Sequence, residues 1–135
     1  MLTHRVALIT GASRGIGASI SKKLFQEGAK LALVARSGGE NTTTRGLQGN
    51  LEEIKYDILD HYISQTSPGR GGVVERSPRD IQLYPTDLCD ANQVAKTYSQ
   101  VMEEFGKIDY VIHNAGALHW KHMLDVPIQR YDVLH

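Results

Sequence analysis

Two nearly continuous apolar runs, Arg5 to Thr10 (RVALIT) and Lys30 to Ala35 (KLALVA), lie near the start of the chain. Runs of this kind suit strands covered on both faces, as in parallel sheets, better than half-exposed strands that alternate. Between them Ile16, Ile20 and Leu24 recur at every fourth position, predicting a helix with one apolar stripe, and Gly28 supplies a stop. The unit reads strand–turn–helix–strand, with a right-handed crossover.

After Arg36 the pattern softens into SGGENTTTRGLQGN, a polar, glycine-rich loop. Leu51, Ile54, Ile58, Leu59, Tyr62 and Ile63 then trace a helical face, and Ser64 to Asp80 reads as a second exposed loop. Two long loops so close together are unusual in a compact domain, so a loop and helix insertion is expected within 37–80. Order returns with a strand from Ile81. Asp90 caps the next helix, with Gln93 placed to complete a capping box. Val94, Tyr98, Val101, Met102 and Phe105 form its apolar stripe, and Gly106 ends it. Ile108 to Gly116 reads as a fourth strand running into a turn. Asp125 can cap a last helix, with Pro127 in its first turn. The alternation predicts one α/β domain over 1–135, a Rossmann-type doubly wound parallel sheet cut short after about four strands.

Composition narrows the class. The 135 residues are 41% hydrophobic and 22% charged, as in a soluble globular domain. Fifteen basic and fifteen acidic residues cancel, so no global field favours nucleic acid or an acidic membrane. Cys89 is the only cysteine, which excludes an internal disulfide and suits a reducing compartment. No run approaches a membrane span. A strand starting by about Arg5 leaves no room for a signal peptide, and the ending DVLH matches no peroxisomal or retention signal. A cytoplasmic protein is the default. An address on a longer parent would be lost from view, which leaves peroxisome and mitochondrion open.

The chemistry concentrates in the first turn. Glycines stand at 11, 15 and 17, after the first strand and at the start of the first helix. That helix start offers free backbone N–H groups and the positive end of a dipole. Glycines let backbone approach a pyrophosphate with no Cβ in the way, and let helix pack closely on strand. A glycine-rich turn that holds no ligand is the alternative.

Three motifs in order, TGASRGIG (Thr10 to Gly17), DL (Asp87 and Leu88) and NAG (Asn114 to Gly116), resemble the short-chain dehydrogenase/reductase family. The resemblance spans most of the chain outside 37–80. It implies an NAD(P)-binding domain in which Thr10, Gly11, Ser13, Arg14, Gly15, Ile16 and Gly17 surround the pyrophosphate, with Gly15 and Gly17 at closest approach. Asp87 and the Leu88 backbone would meet the adenine, while Asn114, Ala115 and Gly116 would border the nicotinamide ribose. His113 stands where the family often has a first Asn. LDVPIQRYDVLH, Leu124 to His135, is similar to the hydroxysteroid dehydrogenase-like branch. The activity implied is hydride exchange between a nicotinamide and a ketone or secondary alcohol, and a homo-oligomer is possible.

A site that selects NAD places a carboxylate at the end of the second strand, to accept from the ribose 2′-OH. Here Ala35 and Arg36 stand there, and Arg14 lies in the glycine turn. Two guanidiniums can grip a 2′-phosphate, so NADP is expected over NAD. The alternative is that Arg36 is only a solvated strand-end residue.

The family is known to protonate the substrate oxygen with a Tyr followed four residues later by a Lys, aided by a Ser and an Asn. Tyr56, Tyr62, Tyr84, Tyr98, Tyr110 and Tyr131 are followed at that spacing by Asp60, Thr66, Leu88, Met102, Asn114 and His135. None is a lysine. No catalytic residue is therefore assigned within these residues, and the reading frame is expected to continue past His135. The chain alone is expected to be unstable or to self-associate. A non-catalytic dinucleotide sensor, a partner module or a functionless truncated product are the alternatives.

Other candidates carry less. His119 and His122 are three apart but lack further ligands, so a variable loop is favoured over a metal site. Trp120 either contacts substrate or packs. Tyr131 and His135 are read as core packing rather than an acid–base pair, Cys89 as a small packing residue, and Arg70, Arg76 and Arg79 as solvated.

Overall fold

A computed structural model describes residues 1–36, 50–66 and 76–116. Its elements are β1 (Val6–Thr10), α1 (Gly15–Gln26), β2 (Lys30–Ala35), α2 (Leu51–Gln65), β3 (Ile81–Pro85), α3 (Ala91–Phe105) and β4 (Tyr110–Ile112), with a 3-10 turn at Pro78–Asp80 before β3. Among the described residues the sheet has four strands in the order β3-β2-β1-β4, all pairs parallel. The chain winds outward from β1 through β2 to β3, then crosses back to β4 on the other side of β1. That reversal opens a crevice at the carboxyl ends of β1 and β4, where open α/β sheets bind ligands.

Alternate residues of each strand serve opposite layers, as a period of two requires. Ala7, Ile9, Leu31, Leu33, Ala35 and Ile81 face α1 and α2 in one cluster with Phe25, Leu51 and Ile58. Leu8, Ala32, Val34 and Tyr84 face the layer of α3 in a smaller cluster with Val101. Burying strands on both faces explains the unbroken apolar runs.

The helices correct the expected stripes. In α1 the buried seam is Gly17, Ser21 and Phe25, one position on from the expected Ile16, Ile20 and Leu24. Ile16 is 72% exposed, and Leu24 packs only partly against the core. The first turn of α1 lies too close to the β1 turn for a large side chain. Ser21 closes its own polar group by donating to the Gly17 carbonyl at 2.7 Å. In α2, Ile63 of the expected face is exposed. In α3, Thr97 and Val101 are buried, whereas Val94 is partly exposed and Tyr98 is 57% exposed. Thr97 enters the core because its hydroxyl pairs with that of Thr86 at 2.6 Å, and Thr86 donates onward to the Tyr84 carbonyl.

The helix α2 bridges β2 and β3 and packs on α1 through the larger cluster; the loops 37–49 and 67–75 around it lie outside the described residues. Arg76 is not solvated. Its guanidinium lies 3.9 Å from the Phe25 ring centroid, donates through Nη1 to Gly28 O at 2.6 Å, and donates through Nη2 to Ala29 O. These carbonyls belong to the turn that links α1 to β2. Burial pushes the Arg76 pKa down from its ordinary value, opposed by the Asp80 carboxylate 3.9 Å from Nε. Arg79 is exposed as expected, and Arg70 lies outside the described residues.

Candidate functional site: a crevice between the β1 and β4 turns

The glycine turn and the Asn114 turn are bonded to each other. Thr10, buried at the end of β1, accepts through Oγ1 from the N–H groups of Asn114 and Ala115, both at 3.1 Å, and donates to Ile112 O at 3.4 Å. One hydroxyl hydrogen and two lone pairs are thereby all used. Asn114 answers by donating through Nδ2 to Gly11 O at 3.2 Å. Thr10, Gly11, Asn114 and Ala115 thus form one unit, although the motifs lie 104 residues apart between Thr10 and Asn114.

The glycines do different work. At Gly17 a Cβ would strike the Gly11 carbonyl oxygen and come within 2.6 Å of Asn114 Nδ2. Gly17 is therefore what lets α1 reach the paired turns. Gly15, at φ +55°, has no heavy atom within 4 Å of where a Cβ would stand. It begins α1 and faces open space.

Among the described residues no side chain caps the start of α1. Arg14 occupies the N-cap without a side-chain capping bond, and no acidic residue lies in the first turn. By contrast Asn50 caps α2 and Asp90 caps α3 with side-chain oxygens. Uncapped N–H groups at a dipole's positive end beside a Cβ-free backbone suit an anion such as a diphosphate. Ser13 is nearly buried beneath this turn, and Arg14, Gly15 and Ile16 are exposed.

The neighbouring strand ends extend the crevice. Ala12 N donates to Val34 O at 3.3 Å, setting the glycine turn beside the end of β2, where Arg36 is exposed. Thr86 N donates to Ala35 O at 2.9 Å, bringing the Asp87 turn alongside in its place. Asp87 accepts through Oδ1 from Cys89 N at 3.0 Å, and Leu88 is exposed. Cys89 is exposed rather than packed, because this turn stands clear of both cores. Gly116 is exposed at the far side of the crevice.

Gln93 departs from the expected capping box. Its Oε1 accepts from Asp87 N at 2.9 Å, not from Asp90 N, which donates to Asp87 O instead. Sequence reasoning missed this link, as it missed the Thr86–Thr97 pair and Arg76. The only available signal was the S/T/D-x-x-E/Q spacing, which also fits the simple box.

An open cavity of about 580 Å³ lies elsewhere, between β3 and α3, lined by Gln82, Tyr84, Lys96, Thr97, Gln100 and Glu104 among others. None of the glycine-turn or Asn114-turn residues lines it. Burial pushes the Tyr84 phenol up to about 12, so it stays neutral there. Among the described residues no three His, Cys, Asp or Glu side chains converge as metal ligands, and no helix is long and apolar enough to cross a membrane. His119, Trp120, His122, the Asp125 and Pro127 helix, Tyr131 and His135 lie outside the described residues.

Known proteins are similar to this chain in sequence and fold. A family profile for the KR domain matches residues 6–133. A fatty acyl-CoA reductase of Acinetobacter baylyi is 33% identical over 112 residues, covering 83% of this chain and 29% of that protein. A versicolorin reductase of Emericella nidulans is 31% identical over 131 residues, covering 97% and 40%. Among solved structures, a short-chain dehydrogenase of Mycobacterium thermoresistibile superposes with a TM-score of 0.75 at 29% identity, covering 98% of this chain and 40% of its own. A metagenomic short-chain oxidoreductase in complex with NADP gives 0.70 at 25% identity, covering 98% and 49%. The chain spans less than half the length of each of these relatives. By the family match across nearly its whole length, this chain belongs to the short-chain dehydrogenase/reductase family.

Proposed function

We propose that these residues form the NADP-binding portion of a short-chain oxidoreductase that exchanges hydride between nicotinamide and a ketone or secondary alcohol. The observation that carries this reading is the uncapped start of α1, with Gly15 facing open space, beside the Thr10–Asn114 staple. A dinucleotide fits that shape and charge. Backbone of Gly11 to Gly17 would hold the diphosphate, Asp87 and Leu88 the adenine, and Asn114 to Gly116 the nicotinamide ribose. The cofactor would supply the hydride; the residues here bind and orient it. The proton-delivering Tyr and Lys would come from chain not among these 135 residues, since no tyrosine here has a lysine four positions on.

Preference for NADP rests on Arg36 at the end of β2 and Arg14 in the glycine turn, with Ala35 where an NAD site would carry an acid. The NADP-bound family neighbour supports this choice. One charge-assisted bond from Arg36 to a 2′-phosphate corresponds to a preference of roughly tenfold to a hundredfold. Titration calorimetry of NADP and NAD on the chain and on Arg36→Asp tests it. The substitution should erase or invert the preference; an unchanged ratio refutes the role of Arg36.

The tyrosine spacing favours a second reading, a non-catalytic dinucleotide-binding module acting as a sensor or as a partner for another chain. Coding sequence downstream of His135 separates the two. A frame that runs on to a Tyr-x-x-x-Lys supports the enzyme, and a stop supports the module.

A further inference from the structure

We propose that Gln93 is a positioning residue for the adenosine side of the nucleotide site, an inference that rests on the dinucleotide reading above. Gln93 bridges two groups that need opposite partners. Its Oε1 accepts from the Asp87 N–H at 2.9 Å, and its Nε2 donates to Asp90 Oδ2 at 3.1 Å. The orientation of the amide is fixed by chemistry, because a backbone N–H only donates and a carboxylate only accepts. Asp90 also accepts, through Oδ1, from Asn92 N at 2.9 Å and Gln93 N at 3.3 Å, and its own N–H donates to Asp87 O at 3.1 Å. The turn from Asp87 to Asp90 is therefore closed on itself and pinned to the first turn of α3.

The pin has a consequence for what the turn presents. The Asp87 N–H and one of its carboxylate oxygens, Oδ1, are committed inside the turn. The other oxygen, Oδ2, has no hydrogen-bond partner among the described residues, and Leu88 stands exposed beside it. Those are the groups assigned to the adenine. A glutamine serving only as a helix cap would bond to the Asp90 N–H; this one reaches past it to hold the residue that meets the ligand. Hydrogen bonds at exposed turns compete with water, so the effect of removing the pin is a looser Asp87 rather than an unfolded domain.

The test uses the full 135-residue chain with two probes, adenosine 2′,5′-diphosphate for the adenosine side and inorganic pyrophosphate for the glycine turn. Gln93→Leu should weaken adenosine 2′,5′-diphosphate by about threefold to tenfold, through the loss of the bonds to the Asp87 N–H and the Asp90 carboxylate at a water-exposed turn. Pyrophosphate affinity should be unchanged, and amide exchange should quicken at Asp87 but not at Leu33. Gln93→Glu keeps an oxygen for the Asp87 N–H but sets a second carboxylate against Asp90 Oδ2, so it should weaken adenosine 2′,5′-diphosphate as well, by about threefold to tenfold at about pH 8 and by less at about pH 5, where the pair can share a proton. Equal losses for both probes overturn the inference, since they reflect general damage. Unchanged adenosine binding in Gln93→Leu overturns it alone. If Gln93→Leu does not fold, Gln93→Glu is read in its place, and unchanged adenosine 2′,5′-diphosphate binding at about pH 8 overturns the inference. Failure of the unsubstituted chain to bind either probe overturns the dinucleotide reading and this inference with it.

Discussion

The two ends of the seam between β1 and β4 are fastened by opposite means. The ladder itself is short, pairing Ala7, Leu8 and Ile9 with Tyr110, Val111 and Ile112, so its ends must fix it. At the amino end Asp109 accepts from Val6 N at 2.8 Å and from Arg5 and Lys107, each at 3.0 Å, and its own N–H donates to Val6 O at 2.9 Å. At the carboxyl end the fasteners are neutral: the Thr10 hydroxyl, the Asn114 amide and the close approach of Gly17 to Gly11. A charged clamp at the crevice would compete with an anionic ligand or draw counter-charge away from it. Hydroxyl and amide bonds hold the same strands together while leaving the field at the start of α1 unspent. Charge fastens the end away from the proposed nucleotide site; uncharged groups fasten the end that would form it.

Breaking the neutral end should do the most damage. In Gly17→Ala the new methyl meets backbone at Gly11 as well as the Asn114 side chain, and backbone cannot swing aside. The expected destabilisation is about 3 kcal/mol, read by urea unfolding, with loss of dinucleotide binding in whatever remains folded. A fully stable Gly17→Ala would mean that the contact between the turns is not tight in solution. Thr10→Val comes next. It keeps the shape but strands the N–H groups of Asn114 and Ala115 in a partly buried place, at about 2 kcal/mol. Because Val restores the packing, amide exchange at Asn114 and Ala115 should rise more than at Leu33. A uniform rise would show that Thr10 serves the whole sheet rather than the staple.

How much of this was legible in sequence differs by the kind of interaction. The strand Lys30–Ala35 and the start of α1 at Gly15 follow from apolar runs and turn chemistry, which are local. The residues of the staple were legible as motif members, but the motif does not say that Thr10 binds Asn114; that is a tertiary fact. The α1 stripe was misread because periodicity rewards large apolar residues, whereas a helix that must touch a turn selects glycine and serine at 17 and 21. The burial of Thr97 depends on one hydroxyl finding another on a different element, for which no pattern along α3 gives a sign. Arg76 looks solvated in a run of Ser, Pro and Gly, and its acceptors lie 48 and 47 residues earlier in the chain. Asp87 and Gln93 sat in plain view, yet a side chain that skips the cap has the same spacing as one that makes it.

The charged end should give the smallest effect, and one that depends on pH. The Val6 N–H, then Lys107 and Arg5, hold the Asp109 carboxyl down at about 2 in the folded chain. In the unfolded chain the group returns to the ordinary range near 3.8. A depressed folded pKa means that the carboxylate contributes stability fully above the unfolded value, and that the contribution is lost as pH falls through that range toward the folded value. Asp109→Asn keeps an acceptor for the Val6 N–H but no charge for Arg5 or Lys107. Its midpoint in urea should fall below that of the parent at pH 6, and the gap should narrow between about pH 4 and 2 as the parent's own carboxyl takes up its proton. Added salt should narrow the gap at pH 6 as well, because Arg5 and Lys107 are half exposed and their attraction is screened. The same salt should leave the cost of Thr10→Val unchanged, because the bonds lost there carry no net charge. A gap that is insensitive to both acid and salt would mean that Asp109 acts only as a hydrogen-bond acceptor, and that the two ends of the seam are fastened alike.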